Sequence, residues 1–209
     1  PAAASADEPR MRVDFGGTFS RFEQQVKAEV GGARGERLVE SAELGLLQML
    51  SYRVWGPFSA GYFVQLDTGT RRAGRFVGFD AEGKTVVGGE LGGAYHELWA
   101  GPLVRAEWRR LFVELGWGAY GARVDEGRDD LPSEGGSAAG ALRTTPNVAW
   151  VFAAGGGVPI TRELELALRL EYRIRYYDRR GGEPLAGGVV HGTQNFTPFV
   201  GLAYRFGPR

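Results

Sequence analysis

The stretch ELELALRLEYRIRYY, Glu163 to Tyr177, decides the fold. Leu164, Leu166, Leu168, Leu170, Tyr172, Ile174 and Tyr176 recur at strict period two. Between them stand Glu163, Glu165, Ala167, Arg169, Glu171, Arg173, Arg175 and Tyr177. Wound at 3.6 residues per turn, this order scatters leucines all round a cylinder; extended, it makes one apolar face and one charged face. The segment is a long β-strand.

Working outward, the same test finds more strands. NVAWVFAAGGGVP puts Val148, Trp150, Phe152, Ala154 and Val158 on one face, with small residues on the other. RLFVELGWGAY sets Leu111, Val113, Leu115 and Trp117 against Arg110, Glu114, Gly116 and Gly118. FTPFVGLAYRF sets Phe196, Pro198, Val200, Leu202, Tyr204 and Phe206 against Asn195, Thr197, Gly201, Ala203 and Arg205. FSAGYFVQL and ELWAGPLVRAEW behave alike, the second with Glu97, Arg105 and Glu107 opposite Leu98, Val104 and Trp108. RVDFGGTFS and SAELGLLQMLSY are less regular, and Gln48 interrupts the apolar face of the latter. The total is eight strands.

Their connections alternate in length. VWGPF, WRR and PITR are short; KAEVGGARGE, TGTRRAGRFVGFDAEGKTVVGG, DEGRDDLPSEGGSAAGALRTT and DRRGGEPLAGGVVHG are long and polar. Short turns at one rim and long loops at the other fit an antiparallel up-and-down barrel.

Composition narrows the class. The chain has 209 residues, which suits one all-β domain, with 25 basic and 25 acidic residues and no net charge. That balance argues against nucleic acid as a partner. Only Lys27 and Lys84 among the basic residues are lysine; a GC-rich coding bias explains this, and so does a use for guanidinium forks. Absence of cysteine excludes disulfides, thiol catalysis, thiolate metal sites and a lipidated N-terminal cysteine. PAAASADEPR reads as a mature start after removal of a signal peptide, so residues 1–10 are expected to be a flexible segment and 11–209 a single barrel domain. The longest uncharged run, Thr144 to Thr161, is too broken by glycine and proline for a spanning helix.

Barrels of this kind occur as soluble carriers and as membrane proteins, and the placement of charge separates them. Here the apolar faces are large and continuous, while the opposite faces carry glycine, alanine and paired charge. Outward aromatics gather at strand ends: Phe58, Trp108, Tyr204 and Phe206 toward the short turns, Trp117, Trp150, Tyr176 and Phe196 toward the long loops. Two aromatic girdles around an apolar band predict an all-β, eight-stranded, antiparallel transmembrane β-barrel, rather than a soluble carrier or sandwich.

From about Arg12 to Phe206 the chain resembles the small bacterial outer-membrane barrels, the class containing the OmpA transmembrane domain and OmpX. Its end is similar to that class's C-terminal assembly signal, a glycine, two free positions, a hydrophobic residue, a free position and a terminal aromatic. Gly201, Tyr204 and Phe206 fill those places, although Val200 stands where a polar residue is usual and Gly207, Pro208 and Arg209 follow. The resemblance implies a Gram-negative outer membrane, periplasmic termini and short turns, extracellular long loops, and contact with the barrel assembly machinery during biogenesis.

Some members of that class modify lipid A with a histidine and a serine nucleophile. This chain has two histidines, His96 and His191. His191 and Thr193 offer a base and a hydroxyl on one strand face, but no orienting carboxylate is placed by the sequence. Neither histidine has metal-ligand spacing to the other. Asp129 and Asp130 lack calcium-loop spacing and read as solvated loop charge. Arg71, Arg72 and Arg75 in an outer loop are a candidate lipopolysaccharide contact, because guanidinium forks suit phosphate.

Alternation directs Arg105, Glu107, Glu114, Glu165, Arg169, Glu171, Arg173, Arg175 and Arg205 into the bore. An eight-stranded barrel holds little more than side chains there, so these charges are expected to interleave as ion pairs, Arg205 with Glu165 among them, and to plug it. The favoured expectation is a non-enzymatic barrel without cofactor or metal. Its role is structural or adhesive, or that of a subunit in an envelope assembly with a protein partner, among outer-membrane lipids and lipopolysaccharide. The alternative is a lipid A acyltransferase or deacylase using His191.

Overall fold

The computed structural model describes residues 10–30, 33–87, 93–125, 141–144, 148–177, 179–180, 183–184 and 191–207. The strands are β1 (Met11–Val30), β2 (Ala33–Trp55), β3 (Phe58–Phe79), β4 (Thr85–Val87) and β5 (Gly93–Trp108). There follow β6 (Leu111–Trp117), β7 (Tyr120–Asp125), β8 (Ala141–Thr144), β9 (Val148–Pro159) and β10 (Leu164–Tyr177). β11 (Arg179–Arg180) and β12 (Glu183–Pro184) make a small separate ladder, and β13 (His191–Phe206) ends the chain.

Each large strand pairs antiparallel with its neighbour in sequence, and β13 returns to pair with β1 from Met11↔Phe206 upward. β6 and β7 are successive pieces of one barrel strand, since both pair with β5. β8 pairs with β7 and β9 with β6, so they likewise share one barrel position. The result is a closed eight-stranded antiparallel barrel. Closure leaves the ring without an edge strand, which is what a bilayer demands of a sheet.

Which face points where is settled by exposure. On β10, Glu171 and Arg173 are 0% exposed, while Leu168 and Leu170 are 45% and 51% exposed. The same inversion holds on the other strands: Phe15, Leu46, Tyr62, Val104, Val113, Phe152 and Leu202 all face outward. Water does not tolerate a continuous apolar belt of this extent; lipid does. Trp55 stacks on Phe58 and Tyr204 on Phe206 at the short-turn rim, while Trp117 lies opposite Trp150 toward the other rim.

Several loops expected from the sequence are strands instead. Of KAEVGGARGE, Ala28, Glu29 and Val30 pair with Gly35, Arg34 and Ala33 as continuations of β1 and β2, and β3 continues to Phe79. Register with β2 supplies the hydrogen bonds there, so strand structure survives without a clean apolar alternation. β1, β2 and β3 run to 20, 23 and 22 residues, about twice the 9–11 needed to cross a bilayer. They project as a sheet beyond the apolar band. β4 folds back on the tip of β3 through a turn in which Asp80 accepts hydrogen bonds from the backbone of Glu82 and Lys84. Residues 1–9, on which most of the expected flexible segment falls, and the Asp129–Asp130 loop lie outside the described residues.

Candidate functional site

The chemistry of this chain is concentrated in the bore. Toward the short-turn rim, Arg12 of β1 bonds Asp14 at 2.8 Å and Glu165 of β10 at 3.0 Å. Arg105 of β5 reaches Asp14 at 3.1 Å and also pairs with Glu114 of β6. Arg205 of β13 pairs with Glu107 and lies 3.3 Å from Glu165. Arg169 joins Glu114 at 2.8 Å to Glu171 at 3.0 Å. Arg173 then carries the chain of pairs toward the long-loop rim, bonding Glu171 at 2.7 Å, Glu43 at 2.8 Å and Asp67 at 3.2 Å. Beyond it Arg175 spans Asp67 and Glu97, and Arg123 of β7 spans Glu97 at 2.9 Å and Glu23 at 3.1 Å.

All nine residues assigned to the bore by alternation therefore belong to one continuous network. Seven further members, Arg12, Asp14, Glu23, Glu43, Asp67, Glu97 and Arg123, were not assigned to the bore from the sequence. Five of them stand at readable positions, such as Asp14 between the outward Val13 and Phe15 and Glu97 beside the outward Leu98. Glu23 and Arg123 do not. β1 loses register with β2 between Ser20 and Phe22, and β6 breaks at Gly118 before β7 begins. Each irregularity inserts residues and reverses which parity points inward.

The inward faces also differ from the expected glycine, alanine and charge. Phe63, Tyr95, Trp99, Phe112 and Phe199 are buried in the bore. Glycines make their room: a Cβ on Gly69 would lie 2.4 Å from the Tyr95 ring, and one on Gly121 would lie 2.4 Å from Trp99. The rings in turn shelve the arginines. Arg105 sits 4.5 Å over Phe112, Arg123 4.2 Å over Tyr95 and Arg175 4.9 Å over Trp99. Guanidinium groups are thus held flat between carboxylates and π faces, with Tyr95 Oη donating to Glu43 at 2.6 Å.

The remaining candidates fall elsewhere. Gly201 faces Gly16 across the closing seam, and Tyr204 and Phe206 point outward at the short-turn rim. Arg71, Arg72 and Arg75 are not in a loop: their backbone is part of β3, Arg71 opposite Ser41 and Arg75 opposite Leu38, and their side chains are outside the described set. His191 is likewise no loop residue but the first residue of β13, opposite Tyr177, with its side chain outside the described set. Thr193 is buried, and His96 is an exposed residue of β5. Among the described residues no group of three or more His, Cys, Asp or Glu is arranged to hold a metal ion.

No family model matches the chain, and no curated protein matches it. Among solved structures it is similar to the outer-membrane protein OprG from Pseudomonas aeruginosa, at 12% identity and a TM-score of 0.47, covering 96% of this chain and 97% of that one. It is similar to AlkL, an outer membrane protein determined in lipid bilayers, at 16% identity and a TM-score of 0.46, covering 99% and 94%. The outer-membrane protease OmpT from Escherichia coli also matches, at 11% identity and a TM-score of 0.42, covering 99% of each chain. With its closed ring, apolar exterior and ion-paired bore, the chain has the architecture of the small eight-stranded outer-membrane β-barrels.

Proposed function

We propose that this protein is a non-enzymatic integral outer-membrane barrel whose bore is plugged. It acts as a structural or adhesive element of the envelope, or as a subunit of an assembly with a protein partner. Its termini and short turns face the periplasm, and the projecting β1–β3 sheet faces outward among lipopolysaccharide. The barrel assembly machinery takes up its last strand during biogenesis.

The observation that carries this reading is the continuity of the lumen network. Arginines and carboxylates are linked from Arg205 near one rim to Arg123 toward the other, with aromatic rings packed beside them. A bore of eight strands has no diameter to spare once those side chains occupy it. The projecting sheet supports the adhesive half of the reading, since strands twice the length of a bilayer crossing offer display surface rather than anchorage.

Planar-bilayer recording of the purified monomer tests the plug: no steady conductance is expected, and a reproducible open level overturns it. Mass spectrometry of lipid A from cells with and without the protein tests the absence of catalysis. Identical acyl patterns are expected, and an altered pattern overturns that half. Crosslinking in native membranes identifies the partner.

A further inference from the structure

The seam that closes the barrel is paired in two stretches with an interval between them. The β1–β13 ladder runs from Met11↔Phe206 to Thr18↔Phe199 and resumes at Gln24↔Gln194. β1 spends residues 19–23 on this interval and β13 only 195–198, so β1 bulges by one residue. Pro198, which has no N–H to give, lies in the interval. Ser20 turns inward, its hydroxyl 3.2 Å from the carbonyls of Phe22 and Phe196, while Arg21 and Phe22 both stay outside.

Opened in this way, the lipid-facing wall holds a crevice of about 450 Å³ lined from β1, β10 and β13. Its apolar walls are Phe19, Phe22, Leu170, Tyr172, Phe196 and Pro198. The Tyr172 and Phe196 rings lie 4.8 Å apart, and Tyr172 Oη donates to Gln194 at 2.7 Å. Past Leu170 and Phe196 a second hollow of about 370 Å³ continues over Phe152 and Ala154. The apolar part thus runs from Phe196, at the long-loop aromatic girdle, down into the apolar band.

The polar groups that face outward stand at the upper end, toward the long loops: Arg21, Gln24 and Gln194. Among the described residues that line the crevice none is an acid, so this end is cationic with amides beside it. Two acids come near from outside. Arg21 lies 3.4 Å from Glu40, and Gln24 donates to Glu36 at 3.1 Å. Both acids belong to β2, which pairs with the edge of β1 opposite to the crevice. The Arg21–Glu40 side chains are 75% and 45% exposed, a loose pair from which a bidentate phosphate displaces the carboxylate.

The occupant therefore combines an acyl chain with a phosphate at the level of the girdle and with carbonyl or hydroxyl groups for the amides. In the orientation given under Proposed function, on which this assignment of the leaflet rests, the upper end of the crevice stands among lipopolysaccharide. The lipid part of that molecule, an acylated and phosphorylated sugar, has all three features.

We propose that the seam crevice is a binding site for one lipid A moiety of lipopolysaccharide. One acyl chain lies along Phe196 and Leu170, a phosphate sits on Arg21, and the amides of Gln24 and Gln194 meet the acyl-sugar linkage.

The test uses the folded protein in nanodiscs containing equimolar lipid A and phosphatidylglycerol, a second anionic lipid without the sugar. Native mass spectrometry follows detergent release. One lipid A per barrel is expected to survive. Leu170→Trp, which fills the crevice from an exposed position, is expected to retain none, and Leu202→Trp, on the same wall outside it, to retain the lipid. Arg21→Gln is expected to lower retention up to about fivefold, the range of one exposed ion pair. Glu40→Gln is expected to raise it, because the competing acceptor is gone. Gel mobility of unboiled samples confirms that each variant is folded. Phosphatidylglycerol retained equally, retention unchanged by Leu170→Trp, retention lowered by Glu40→Gln, or no retained lipid overturns the proposal. The leaflet is checked separately with Lys84→Cys, a single thiol on the exposed β3–β4 turn of a chain that has no cysteine. It is expected to react with a membrane-impermeant maleimide on intact cells. No reaction overturns the orientation and with it the leaflet; reaction without lipid A retention overturns the site alone.

Discussion

Replacing Arg173 with methionine is the most direct test of the lumen network. In the ion pairs among the described bore residues, seven arginines serve nine carboxylates, so each arginine bridges two or three acids. Arg173 is 0% exposed and holds Glu43, Asp67 and Glu171. In the variant, Glu171 keeps Arg169 at 3.0 Å and Asp67 keeps Arg175 at 3.5 Å. Glu43 keeps Tyr95 Oη at 2.6 Å and the Asn195 amide at 3.5 Å, and loses its arginine. Removing one partner of a buried pair costs about 3–5 kcal/mol. That cost is capped by protonating the stranded carboxyl, about 4 kcal/mol at pH 7 for a group that ordinarily titrates near pH 4. The cap falls by about 1.4 kcal/mol per pH unit, to about 1 kcal/mol at pH 5. Neutral carboxyl is the form favoured in the variant, so its deficit shrinks as pH falls.

The assay is urea unfolding from detergent micelles at pH 7 and pH 5, followed by tryptophan fluorescence and by the mobility difference between boiled and unboiled protein. Arg173→Met is expected to lose about 3–4 kcal/mol at pH 7 and about 1 kcal/mol at pH 5. Adding Glu43→Gln is expected to restore most of the deficit, giving a coupling of about 2 kcal/mol or more in the double-mutant cycle. A deficit below 1 kcal/mol at pH 7, independent of pH, would refute the reasoning, because it would mean that water screens these charges as it does on a surface.

Four further outcomes are expected. Gly16→Ala brings a Cβ within 2.4 Å of the Gly201 backbone across the closing seam and should lose about 1–3 kcal/mol, whereas Gly17→Ala meets nothing nearer than 3.8 Å and should change little; equal effects in urea unfolding would contradict this. Gly56 opens the β2–β3 turn at φ 51° with no atom within 4 Å of a Cβ, so Gly56→Ala should lose about 1 kcal/mol from strain alone. Arg109, at φ 57° in the β5–β6 turn, already bears that strain, and Arg109→Gly should be no less stable than the parent by the same measurement. Phe206→Ala should lower the folded yield in cells much more than the stability of refolded protein, and unchanged surface levels on immunoblots would remove the support for an assembly signal at Gly201, Tyr204 and Phe206.

Strand parity by itself decides most of this molecule. Alternation on Glu163–Tyr177 sends Glu165, Arg169, Glu171, Arg173 and Arg175 to one face whatever the partner strands, because successive side chains of a strand must oppose each other. It determined equally that Leu168, Tyr204 and Trp150 lie on the other face, and so that the barrel is apolar outside. What parity cannot carry is a change of phase. Glu23 and Arg123 enter the bore only because β1 and the β6–β7 strand each bulge, and a bulge is a property of pairing with a neighbour. The interior rings of Tyr95 and Trp99 share the parity of Glu97 and Arg105, and what the sequence does not display is the room for them, since the glycines that admit them, Gly69 and Gly121, are remote in sequence or separated from them by the turn. Closure itself, with its gap at Pro198, joins residues about 180 positions apart; only the folded ring brings them together.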